Sequence, residues 1–267
     1  MKIDDTKKIT EKLIDTFVET GEMSLNLRAK GLKKEIKDDN TPVTNADLEI
    51  NNILIKKITE LTPSIPIVSE ESSKNKNLNN LNNFWLIDPI DGTSDYINNK
   101  DEFTINAALV LNNIPLIGII NAPAKKRLFY TYGRNFCFEI HNNKQIKLNC
   151  VKKTDKGQIK AVAYSNNLKP IISEYHKKLK VTEYVRMKSS LKFCVVASGE
   201  YDAYVAEARA SEWDIAAGHA IVINAGGIIT DFQGNEIRYG KKDFMRLKAY
   251  AYHELPQEPQ TLPLTSP

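Results

Sequence analysis

The chain has 267 residues, 42% of them apolar and 26% charged, with 12 glycines and 11 prolines. That balance belongs to a folded globular protein and excludes collagen-like, mucin-like and wholly disordered classes, while the length allows one large α/β body or two lobes sharing an interface. A net charge of +4, scattered rather than interleaved with aromatics, argues against a nucleic-acid duplex and for a small anionic substrate.

The first residues, MKIDDTKKITEK, hold no apolar core before a cleavage site, so no leader is expected. Apolar Ile9, Leu13, Ile14, Phe17 and Val18 predict a helix over Thr6–Thr20, with Gly21 as its stop. Thr44-Asn-Ala-Asp47 reads as a capping box ahead of Leu48, Ile50, Ile53, Leu54, Ile55 and Ile58, which puts Asp47 in a helix's first turn. A short strand is expected at Ile65–Val68, followed by a polar surface loop over 72–83. Strands then follow in quick succession at Phe84–Ile87, Phe103–Leu111, Ile114–Asn121, Arg127–Thr131 and Phe136–Ile140, with Asn112-Asn113 as a hairpin turn. The longest apolar stretch, Ile114–Ile120, is broken by Pro115 and Gly118, too short to span a bilayer. The expected location is the cytoplasm, with peripheral contact at the inner membrane face left open.

Beyond residue 150 strands and helices alternate: strand 160–164, helix 168–179, strand 182–186, helix 190–198, strand 203–206, helix 214–224 closed by Gly226-Gly227, and strand 228–231. Residues 1–150 therefore read as a sheet-rich lobe, 151–254 as an α/β lobe, and 255–267, with four prolines, as a poorly ordered tail. Cys137, Cys150 and Cys194 lack any CxxC spacing and are expected as core residues rather than disulfide or zinc partners. His219 reads as a packed or surface residue, Tyr201 and Tyr204 as strand packing, and Arg209 as a loop cation.

The informative stretch is Phe84-Trp-Leu-Ile-Asp-Pro-Ile-Asp-Gly-Thr93. Pro89 biases Asp88 toward an extended conformation and keeps the segment out of a helix, so a tight turn carrying both carboxylates is expected. With the Ile90 carbonyl, Asp88 and Asp91 supply three hard oxygens within four residues, the donor type magnesium prefers. If a helix starts at Gly92-Thr93, its free N–H groups form a seat for a phosphate oxygen. Glu70-Glu71 ends one predicted strand and Asp214 starts one predicted helix, so acids from three distant segments sit at element ends. Alone, either would be an ordinary surface charge or cap; a structural turn, by contrast, needs no pair of carboxylates flanking its Pro and Gly.

Glu70-Glu71-Ser72, Trp85-Leu-Ile-Asp-Pro-Ile-Asp-Gly-Thr93 and Glu212-Trp-Asp-Ile-Ala-Ala-Gly-His219 with Gly226-Gly227 resemble, in order, the acidic motifs of the inositol monophosphatase-like, magnesium-dependent, lithium-sensitive phosphatases. The resemblance implies a layered αβαβα sandwich of the inositol monophosphatase and fructose-1,6-bisphosphatase type. It implies two or three Mg²⁺ held by Glu70, Asp88, the Ile90 carbonyl, Asp91 and Asp214, phosphate held at Gly92 and Thr93, and water activation by Asp47 and Thr93 with Glu70. Within that superfamily, Ser189-Ser-Leu-Lys-Phe193 resembles the CysQ-type 3'(2'),5'-bisphosphate nucleotidases. Ser189, Ser190 and Lys192 are then substrate-binding, Lys192 serving a second phosphate. Many relatives have glycine where Lys188 stands, and Lys188 reads either as a phosphate contact or as a solvated cation. The implied activity is removal of the 3'-phosphate of adenosine 3',5'-bisphosphate, and of its sulfated form as a second candidate, in sulfur metabolism. The alternatives are an inositol or sugar monophosphatase and a catalytically silent binding protein; a monomer or a homodimer is expected.

Overall fold

A computed structural model describes residues 1–37, 40–72, 81–150, 158–241, 244 and 247–252, with the backbone alone at 207–209 and 247–252. Two long helices open the chain, α1 (Ile3–Lys30) and α2 (Asn45–Leu61), separated by a hairpin of β1 (Lys34–Ile36) and β2 (Pro42–Thr44). Next come β3 (Ile67–Ser69), β4 (Phe84–Asp91), the short α3 (Thr93–Ile97), β5 (Thr104–Leu111), β6 (Ile114–Ala122), β7 (Arg127–Gly133), β8 (Phe136–His141) and β9 (Lys144–Lys147). These seven strands form one sheet in sequence order, antiparallel except for the parallel β3/β4 pair. The β5/β6 hairpin turns on Asn112 and Asn113, both at positive φ (52° and 65°), where asparagine is tolerated better than most residues.

The rest of the described chain is β10 (Ile159–Ala163), α4 (Pro170–Lys178), β11 (Val181–Arg186), α5 (Leu191–Ala197), β12 (Ala203–Ala210), α6 (Glu212–Asn224), β13 (Ile228–Thr230) and β14 (Leu247–Tyr252). The second sheet runs β11-β10-β12-β14-β13, with β10 parallel to both neighbours and β14 antiparallel to its own.

Strand alternation sorts the apolar side chains into layers. Trp85, Ile87, Ile105 and Ile117 face Leu13, Phe17, Ile50 and Leu54 of α1 and α2. Phe84, Leu86, Ala108 and Val110 face the opposite way, onto α5 and α6, which in turn cover Val162, Tyr204 and Ile229 of the second sheet. Ile172 of α4 packs outside that sheet against Val205. The order is helix, sheet, helix, sheet, helix, as expected. α6 is apolar around its circumference because it lies between two sheets. It approaches β6 closely at Gly118, where an added Cβ would lie 2.4 Å from the Ala217 carbonyl, and α5 at Gly218, where one would lie 2.4 Å from the Phe193 ring.

Three expectations need correction or limits. Gly21 does not stop α1, which runs on to Lys30; its missing side chain admits the Asn121 amide, which donates to the Phe17 carbonyl at 2.6 Å. Asp88-Pro-Ile-Asp91 is not a turn but the end of β4, bulged against β5 between Asp88 and Asp91. Proline is tolerated there because β3 pairs no further than Ile87, so no ladder donor is missed. The loop residues 73–80, the tail 255–267 and the Arg209 side chain lie outside the described residues. Among the described residues no helix is long and apolar enough to cross a membrane.

Candidate metal and phosphate site

The acids that the sequence scatters over 145 positions meet at one cleft of about 390 Å³ between the sheets. (Glu70 follows β3, Asp88 and Asp91 end β4, and Asp214 stands in the first turn of α6.) One carboxylate oxygen each from Glu70, Asp88 and Asp214 lies within 4.8 Å of the others. Asp88 is buried, and its Oδ2 has no hydrogen-bond partner, an arrangement that costs free energy unless a cation or proton satisfies it. Burial pushes the Asp88 carboxyl well above the usual range, with Glu70, Asp91 and Asp214 adding repulsion. Asp214 is pushed up to about 8 by burial and by Asp91 and Glu70. Such a cluster of hard oxygens with clashing charge fits a divalent cation.

Each acid is also held. Asp214 caps its own helix, accepting from the Ser211 N–H at 2.7 Å. Asp91 Oδ2 accepts from both the backbone N–H and the hydroxyl of Ser190. Lys37 pairs with Glu70 at 3.2 Å and with Glu71 at 2.5 Å. Burial alone would lower its ammonium pKa, but the two glutamates carry it above the ordinary value.

The capping box at α2 forms as expected: Asp47 Oδ2 accepts from the Thr44 N–H at 2.8 Å and from its hydroxyl at 2.6 Å. That leaves Asp47 Oδ1 facing Thr93, whose hydroxyl lies 3.3 Å away and 3.0 Å from the Ile90 carbonyl. Burial raises the Asp47 pKa against the pull of the Thr44 bonds. Gly92, at φ 93°, turns the chain so that Thr93 heads α3 on the cleft wall.

Ser189, Ser190 and Lys192 also line the cleft. Ser190 is spent on the acids, its hydroxyl lying 2.7 Å from Asp91 Oδ2 and 2.7 Å from the Asp214 carbonyl. The Lys192 ammonium donates to the Ser189 carbonyl and sits 5.2 Å from the centre of the Tyr204 ring. Tyr204 packs in β12 as expected and also forms cleft wall, as do Tyr164 and Lys188. Sequence reasoning missed Lys37 and Tyr164, and no local signal marks either. His219 is packed, bonded to the Tyr239 hydroxyl at 2.9 Å, and burial lowers its pKa to about 3. The three cysteines are buried and free.

The sequence profile described as the inositol monophosphatase family matches residues 5–259. The chain is 34% identical over 239 residues to the 3'(2'),5'-bisphosphate nucleotidase CysQ of Buchnera aphidicola, covering 87% of this chain and 88% of that one. It is 33% identical to the CysQ of the same description from Salmonella typhimurium, over 80% of this chain and 86% of the other. Among solved structures, CysQ from Bacteroides thetaiotaomicron superposes with a TM-score of 0.76 at 27% identity, covering 94% of this chain and 98% of that chain.

Proposed function

The chain belongs to the inositol monophosphatase family, and on that premise we propose that it is a magnesium-dependent phosphohydrolase removing the 3'-phosphate of adenosine 3',5'-bisphosphate. AMP and phosphate are the products, and the sulfated nucleotide is a second substrate. The observation that carries the chemistry is the meeting of Glu70, Asp88 and Asp214 within 4.8 Å in one cleft, beside the Asp47–Thr93 pair. The nucleotide as substrate rests on the CysQ relatives.

Glu70, Asp88, Asp91, Asp214 and the Ile90 carbonyl would hold two or three Mg²⁺. When bound, the ions supply Lewis acidity at the phosphoryl group and lower the pKa of water. The protein's own part is orientation and proton handling. Thr44 pins Asp47 Oδ2, so Oδ1 is left to take the Thr93 hydroxyl proton. Thr93 Oγ1 can then accept a proton from the attacking water, as the new O–P bond forms in line with the breaking bond to the 3'-oxygen, which takes a proton from solvent water as AMP leaves. Burial of Asp47 raises its proton affinity, which favours that transfer. Gly92 and Thr93 seat the scissile phosphate. Ser189 and Lys192 serve the rest of the nucleotide, and Ser190 acts through Asp91.

The deciding test sets adenosine 3',5'-bisphosphate beside inositol monophosphate with the purified protein and Mg²⁺. A higher kcat/KM for the nucleotide is expected. Preference for inositol monophosphate would refute the substrate, and release of phosphate from neither would refute the enzyme.

A further inference from the structure

Behind the carboxylates lies a buried polar side chain that the mechanism does not use. Asn106 stands directly opposite Asp88 in the β4/β5 ladder, fully buried. Its neighbours two and four residues on along the same face, Ala108 and Val110, belong to the apolar layer under α5 and α6, so an amide at this position has to find polar partners or be penalised. Its Nδ2 donates to Ser190 Oγ at 3.0 Å. Ser190 Oγ in turn lies 2.7 Å from Asp91 Oδ2 and 2.7 Å from the Asp214 carbonyl.

Proton accounting fixes the direction of this chain. A carboxylate oxygen and a carbonyl can only accept, so the single Ser190 hydroxyl proton is committed to the acid side. Only lone pairs remain for Asn106, which must present its NH₂ rather than its oxygen. The hydroxyl and the backbone N–H of Ser190 then both converge on Asp91 Oδ2, fixing the carboxylate plane and leaving Asp91 Oδ1 outside that clamp. Asn106 Oδ1 is itself without a partner, so the residue is kept at a cost that its donor alone must offset.

We propose that Asn106 is a positioning residue for divalent-metal binding, acting through Ser190 to orient Asp91. This deepens the metal-dependent reading and rests on it, but its test does not require turnover. Partners one step behind metal ligands, the place Ser190 holds, are worth about 10- to 100-fold in metal affinity or activity, and Asn106, one step further back, is expected at the lower end of that range.

The experiment is calorimetric titration of chelator-stripped protein with Mn²⁺, for wild type, Asn106→Leu, Ser190→Ala and the double variant. Asn106→Leu keeps the branching at Cγ, in a bulkier side chain, and removes the donor; a roughly tenfold rise in the Mn²⁺ Kd is expected, with KM for the bisphosphate at saturating metal unchanged. Because Asn106 acts only through the Ser190 hydroxyl, the double variant should bind Mn²⁺ no more weakly than Ser190→Ala. An unchanged Kd for Asn106→Leu, or additive losses in the double variant, would overturn the proposal. If Asn106→Leu does not fold, Asn106→Ser, too short to reach Ser190, is titrated in its place, and an unchanged Kd there overturns the proposal equally. Wild-type protein that binds Mn²⁺ but hydrolyses no phosphate ester would defeat the proposed function and leave this inference standing.

Discussion

Replacing Asp214 by Asn should stabilise the metal-free protein while destroying its response to metal. Asn keeps the acceptor for the Ser211 N–H and turns a donor toward the neighbouring acids. In the wild type, burial and the charges of Asp91 and Glu70 move Asp214 from 3.8 to about 8. For an acid whose folded pKa is raised, the folded state is favoured most below the unfolded pKa, and that advantage is lost as pH climbs through the folded one. The loss therefore falls between about pH 4 and pH 8. At about 1.4 kcal/mol per pH unit, the gap represents about 6 kcal/mol. Asp214 borders the open cleft and shares its repulsion with the other acids, so about half, ~3 kcal/mol, is the working figure. For a chain of 267 residues that is a rise in Tm of about 5–6 °C. The assay is thermal unfolding in chelator at pH 8 and at pH 4.5, with and without Mg²⁺. Asp214→Asn should melt higher than wild type at pH 8 in chelator, converge with it near pH 4.5, and gain nothing from Mg²⁺. Equal melting at pH 8 in chelator, or a Mg²⁺ shift as large as the wild type's, would refute the view that these acids are held together against their charge.

Asp91→Asn should lose phosphate release by about a thousandfold, several kcal/mol of transition-state stabilisation, and should weaken Mn²⁺ binding; wild-type values for both would remove Asp91 from the site. Thr93→Ala should lower kcat by about 10²- to 10⁴-fold with KM nearly constant, and Thr93→Ser should recover much of it, whereas a defect confined to KM would contradict the proton role. His219, lowered to about 3 by burial, gives a stability that falls as pH drops below about 6.5, because the unfolded chain takes the proton first; between pH 7.5 and 5.5 this amounts to about 1.4 kcal/mol. Urea unfolding of His219→Gln in chelator should lack that portion of the slope, and parallel curves for the two proteins would contradict it. Lithium chloride should inhibit phosphate release more than potassium chloride at equal ionic strength, and equal rates in the two salts would count against lithium sensitivity.

The acids were legible in the sequence because each is announced locally, by an element end or by the Asp-Pro-Ile-Asp-Gly-Thr run. Strand alternation and the Asn112-Asn113 turn likewise expose most of the first sheet. What stayed hidden is whatever depends on a distant neighbour. Gly21 looks like a helix stop until Asn121 is seen packed against it. Pro89 looks like a turn until β3 is seen to end its pairing at Ile87. Lys37 sits just after a three-residue strand, and only the fold carries it to Glu70. Asn106 reads as a polar break in an apolar strand, and its meaning lies in Ser190, 84 positions away.

The tight seam that α6 makes with its neighbours has a bearing on how this site can fail. Two absent methyl groups, at Gly118 and Gly218, set how deep the helix seats, and therefore how far its leading carboxylate reaches. A chain can thus keep every acid and still be mute, if alanine at either point props the rod outward by a fraction of its pitch. Screening variants by their ligand residues alone would pass such a protein as intact.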